Sequence, residues 1–244
     1  MNDILEFALN GHGGLDRWNE YKTISARLTQ GGVLWALKQQ AGVLDEVDVV
    51  ADLHTERVSH GPFGEPPVHT EFTPDRMAIE SADDLVLEEL LQPRASFAGH
   101  VQTTPWSRLQ LGYFAGTAMW TYLTQPFSFT MPGFVVEEGN PWTEDGKTYR
   151  TMHVTWPSYL ATHNPDQVLY LDEDGLIRRH DYTVEITGNT EAAHYMSDYM
   201  IVSGIKVPTR HRIYPRGADG KADPDLLIVS IDYSDVQYLP RGPR

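Results

Sequence analysis

The stretch TPWSRLQLGYFAGTAMWTYLTQP, Thr104 to Pro126, decides how the rest of the chain is read. Thr104 suits an N-cap, where its hydroxyl accepts from the first turn, and Pro105 suits the next position, where a missing N–H costs nothing. Pro126 cannot continue a helix. Between them almost every face is apolar or small, from Trp106 through Leu111, Phe114 and Met119 to Leu123. A helix that is apolar all round must be covered. Its most apolar part, Leu109 to Tyr122, falls short of the about 20 residues that cross a bilayer, so the rest of the protein must cover it. Gly112 and Gly116 lie one turn apart and predict close packing of a sheet on that side.

Outward from this helix the period changes to two. Asp45 to Val58 places Val47, Val49, Ala51 and Leu53 on one face and Glu46, Asp48, Asp52, His54 and Glu56 on the other, as in a sheet with one wet side. Thr23 to Leu37 reads as a strand with a break at Gly31-Gly32, and Val68–Phe72, Arg76–Glu80 and Leu85–Leu90 read as short strands. Ahead of these, Asn2 or Asp3 caps a short helix that buries Ile4, Leu5, Phe7, Ala8 and Leu9. Gly11-His12-Gly13-Gly14 ends it. After Pro132-Gly133 come strands over 147–156, 167–172, 176–186, 192–202, 206–214 and 226–238, with hairpin turns at Asp172-Glu173-Asp174-Gly175 and Ser203-Gly204. The expected fold is mainly β (α+β). A curved, partly closed antiparallel sheet wraps a central apolar helix in a single domain over 1–244.

Composition narrows the partners. The 244 residues carry 19 Lys+Arg against 34 Asp+Glu, a formal charge of −15. That charge repels phosphate backbones and anionic membrane faces, so neither nucleic acid nor stable membrane insertion is expected. With no cysteine there is no disulfide, thiolate nucleophile or iron–sulfur cluster. The N-terminal residues show neither a basic segment nor a long apolar run, which makes a cytoplasmic location the expectation. No glycine-rich phosphate loop or His-Glu-x-x-His spacing is present, and no cofactor is expected.

Two groups of polar residues stand out. His54-x-Glu56 and His69-x-Glu71 would meet in a hairpin, but the alternation places His54 and Glu56 outward, as exposed charges. The strand over 176–186 carries Arg178, His180, Tyr182, Val184 and Ile186 on its more apolar face. If the following turn centres on Asn189, His180 lies opposite Asp198, Tyr182 opposite Met196 and Val184 opposite His194. His180 and Asp198 then make a general base with its orienting acid. Tyr182, His194, Arg210, Trp120 and Tyr113 become candidate ligand contacts. A less favoured alternative joins His163 to His180 and His194 as three imidazoles around a metal ion with an open fourth position.

The segment Tyr170-Leu171-Asp172-Glu173-Asp174-Gly175-Leu176-Ile177-Arg178-Arg179 is similar to a strand–turn–strand of the bacterial lipoprotein-carrier (Lol-type) superfamily. His12–Trp18 and Arg179–Tyr182 resemble segments of a group of bacterial proteins without an assigned function. The resemblance implies a half-open apolar cavity between sheet and helix. The expected function is binding of an apolar or amphipathic small molecule in that concave face. The alternative is a lyase, isomerase or hydrolase that uses His180 and Asp198.

Overall fold

The computed structural model describes residues 2–240. Its strands are β1 (Tyr21–Gly31), β2 (Glu46–Asp52), β3 (Val58–Gly61), β4 (His69–Thr73), β5 (Arg76–Glu80), β6 (Val86–Leu91), β7 (Val135–Glu138), β8 (Trp142–Glu144), β9 (Lys147–Thr155), β10 (Asp166–Leu171), β11 (Ile177–Val184), β12 (Thr190–Val202), β13 (Ile205–Pro215) and β14 (Val229–Pro240). All pair antiparallel, in the order β6-β5-β4-β3-β2-β1-β14-β13-β12-β11-β10-β9-β7, with β8 folded back on β9. Neighbours in sequence are mostly neighbours in space. The exceptions are β7, which pairs with β9, and β1 against β14, which joins segments far apart in the sequence at the middle of the sheet. The sheet does not close, and β6 and β7 are its free edges.

The helices are α1 (Asp3–Gly11), α2 (Leu15–Trp18), α3 (Leu34–Leu37) and α4 (Arg108–Thr124). The sheet encloses α4, which is buried from Leu111 through Thr124. Thr117, Thr121 and Thr124 remain compatible with that burial because each hydroxyl donates to the carbonyl four residues back. Gly112 and Gly116 give the close approach expected of them. A Cβ at either position would run into Met77 of β5 or Phe72 of β4.

Three expectations need correction. The helix starts at Ser107 rather than Thr104. Ser107 and Gln110 exchange hydrogen bonds in a capping box, which satisfies two backbone donors where Thr104 would satisfy one. Thr104 instead accepts from the N–H of Val101. The strand from Thr23 stops at Gly31, and the chain turns into α3. The strand from Asp45 ends at Asp52, whose carboxylate accepts from the N–H groups of His54 and Thr55. The alternation therefore lapses before Glu56, which is buried and accepts from the N–H of Ala161 at 2.8 Å. No helix among the described residues is long and apolar enough to cross a membrane.

Candidate functional site

A cavity of about 50 Å³ lies between α4 and the inner face of the sheet. Small side chains create it. Ala115 and Ala118 of α4 face Ala192 of β12, and Tyr122 of α4, Tyr182 of β11 and Ile213 of β13 complete the walls. No side chain that lines it carries a formal charge. At its mouth Leu34, Gln102 and Ile228 continue into a shallow depression that also includes Val33, Leu37 and Leu226. These last three are exposed apolar side chains, so the way in is mostly apolar, with Gln102 and Thr103 its polar members.

Beside the cavity, α4, the segment between β9 and β10, and β10–β14 bring together a layer of tyrosines and imidazoles. The Tyr122 and Tyr182 hydroxyls are 2.6 Å apart. His194 lies 4.4 Å from Tyr122, ring centre to ring centre, and His163 and His180 each lie 4.9 Å from Tyr182. The hydrogen bonds fix the tautomers. Gln167 donates its amide to Thr162 and the Asn164 carbonyl, so its oxygen faces His180 Nε2 at 2.7 Å. That nitrogen must carry the proton, which leaves His180 Nδ1 bare. His211 Nε2 donates to the Pro208 carbonyl, so its Nδ1 accepts from His194 Nε2 at 2.8 Å. His194 Nδ1 is then also bare. Neither bare nitrogen has a partner among the described residues.

Burial keeps these imidazoles neutral. It pushes His163 and His180 down to about 3, His211 to about 4 and His194 well below its usual value. Burial also holds the Tyr122 and Tyr182 hydroxyls protonated, far above the usual phenol range. The whole layer is thus polar but uncharged at neutral pH.

The sequence-derived candidates separate into two sets. His180, His194, Tyr182 and His163 meet in this layer, and Tyr182 also lines the cavity. Asp198 does not join them. The register differs by four residues from the one expected, so His180 faces His194. The even shift keeps both histidines inside but carries Asp198 past the site. A left-handed backbone at Asp198 (φ 54°) interrupts the alternation, and its side chain is exposed. It approaches Arg210, which is exposed too, at 3.9 Å. The expected His180–Asp198 acid–base pair is therefore not assembled, and Gln167 occupies the place of the acid. Arg210 lies on the outer face, while its neighbour His211 points inward.

Trp120 and Tyr113 are buried on other faces of α4 and do not line the cavity. The Trp120 indole donates to the carbonyls of Asp52 and Thr55 and pins the turn after β2. The three-imidazole metal alternative also lacks its geometry. Among the described residues the only trio of His or carboxylate groups with ligand atoms within 4.8 Å of one another is His69, Glu80 and Asp84. That trio lies on the outer surface, where Arg76 already engages Glu80.

Fold and site together define an open antiparallel sheet that clasps one buried helix and leaves an uncharged cavity beside it. Among solved structures the chain is similar to a LolA superfamily protein from Nitrosomonas europaea, with a TM-score of 0.52 and 10% identity over 98% of this chain and 93% of that one. It is also similar to a DUF1329 family protein from Desulfovibrio piger, with a TM-score of 0.46 and 12% identity over 96% of this chain and 91% of that one. The first likeness shows the fold alone, and the second adds no argument to it. No protein-family model matches the sequence, and neither does any curated protein.

Proposed function

We propose that the protein binds a slender apolar or amphipathic small molecule between α4 and the sheet. The observation that carries this reading is the cavity itself, uncharged and opened by three alanines in a protein of formal charge −15. An apolar cavity offers a ligand the free energy of leaving water, roughly 25 cal/mol per Å² buried. Its small volume favours a thin chain over a bulky ring system. The enzymatic reading has less support, because no carboxylate orients His180.

Filling the cavity from both sides tests the proposal. Ala118→Leu and Ala192→Leu should each leave the circular dichroism spectrum unchanged and weaken binding of n-heptane, followed by NMR, at least tenfold. Unchanged heptane affinity in both variants would place binding elsewhere and overturn the proposal.

A further inference from the structure

Two tyrosines in an apolar wall raise the question of where their hydrogens go. Tyr122 and Tyr182 are 5% and 3% exposed, and both line the cavity. Their hydroxyls carry two hydrogens. One lies in the bond between the two oxygens. Neither oxygen makes a further hydrogen bond among the described residues. The bare Nδ1 atoms of His180 and His194 are nearby, yet both stay unpartnered, so the phenols do not reach them. One phenol O–H is thus left without an acceptor. A buried donor in that condition is costly, and native proteins usually supply it with a partner.

The wall also excludes charge. No acidic or basic side chain lines the cavity, so a carboxylate or ammonium seated there would be desolvated without a counter-ion. The layer behind it is held neutral as well.

We infer that the natural ligand carries a neutral oxygen acceptor, such as a ketone or ester carbonyl, that takes the spare O–H of the Tyr122–Tyr182 pair. The inference rests on the cavity being the binding site, and it adds the chemistry of the ligand's polar group. The pair makes the donor robust. With either phenol removed the other still has a hydrogen to give, so only removal of both abolishes it.

The test uses four probes of one chain length: n-heptane, 2-heptanone, heptanoate and heptylammonium. Each is titrated into the full-length protein and into Tyr122→Phe, Tyr182→Phe and the double variant. The expected result is a roughly tenfold fall in the ratio of 2-heptanone affinity to heptane affinity in the double variant alone, since one neutral hydrogen bond corresponds to about that ratio. Both charged probes should bind at least tenfold more weakly than 2-heptanone. Equal effects on heptane and 2-heptanone, or binding of a charged probe as tight as the ketone, would overturn the inference but leave apolar binding standing. Failure of heptane and 2-heptanone alike to bind the wild type would overturn both. Infrared spectroscopy of 2-heptanone bound to wild type needs no variant. The carbonyl stretch should fall below its value in heptane, and a stretch equal to that value would contradict the inference.

Discussion

His12, His60, His163, His180, His194 and His211 are buried, and burial lowers the pKa of each. The unfolded chain holds these protons more tightly than the folded one, so protonation favours unfolding. Stability from this source is complete above the ordinary imidazole value of 6.5. It is lost as pH falls toward about 4 for His12, His60 and His211 and toward about 3 for His163 and His180. Each can cost up to about 2 kcal/mol between pH 7 and pH 5. Urea midpoints should therefore drop steeply from pH 7.5 to pH 5, and a flat profile would show that these imidazoles are not held neutral. At this scale the sequence was partly legible. Alternation in β11 and β12 placed His180, Tyr182 and His194 inside. The same rule along β13, with Ile205, Val207 and Ile213 buried on the odd positions, points to His211 rather than Arg210. Asp198 was not legible, because cross-strand register depends on a turn whose length local pattern does not fix. Tyr122 lay unmarked in a run of core aromatics.

Two elements carry specific costs. Gly116 of α4 sits directly on the buried Phe72 ring. Gly116→Ala should destabilise the protein by about 1–3 kcal/mol in denaturant titrations, through overpacking, although alanine is the better helix former. On the outer face, β8 and the 217–222 loop cover an ion pair. Arg179 binds Asp181 through two hydrogen bonds of 2.7 and 2.8 Å and reaches Glu144 at 2.8 Å, with Trp142, Tyr170 and Tyr195 around its guanidinium. Asp181→Ala leaves that cation buried without its main partner and should cost about 3–5 kcal/mol. A smaller loss after Arg179→Met/Asp181→Ala than after Asp181→Ala alone would locate the cost in the stranded charge. The strand β11 itself was readable, but its buried outer face was not. Its cover comes from β8, a three-residue strand too short to leave a periodic signal.

The meander of short strands and the apolar helix were enough to anticipate the open sheet around α4. The pairing of β1 with β14 was not, because it joins segments about two hundred residues apart and no local pattern encodes it. The open sheet leaves β6 as a free edge with Leu85, Val86, Leu87 and Leu91 exposed beside it or on it. Such an edge invites pairing unless charges oppose it. The acidic residues on it are Glu88 and Glu89, the latter engaged by Arg76 of β5. Glu88→Thr/Glu89→Thr should shift the sedimentation profile toward dimers or larger species, and a profile identical to wild type would show that the acidic pair does not guard this edge.

The cavity beside α4 is the feature on which the functional account depends. The most direct test is methyl NMR during titration with 2-heptanone, because it reports both binding and place. The account predicts saturable shifts concentrated on Ala115, Ala118, Met119, Ala192 and Ile213. Shifts confined to the exposed leucines of β6, or none at saturating ligand, would contradict it.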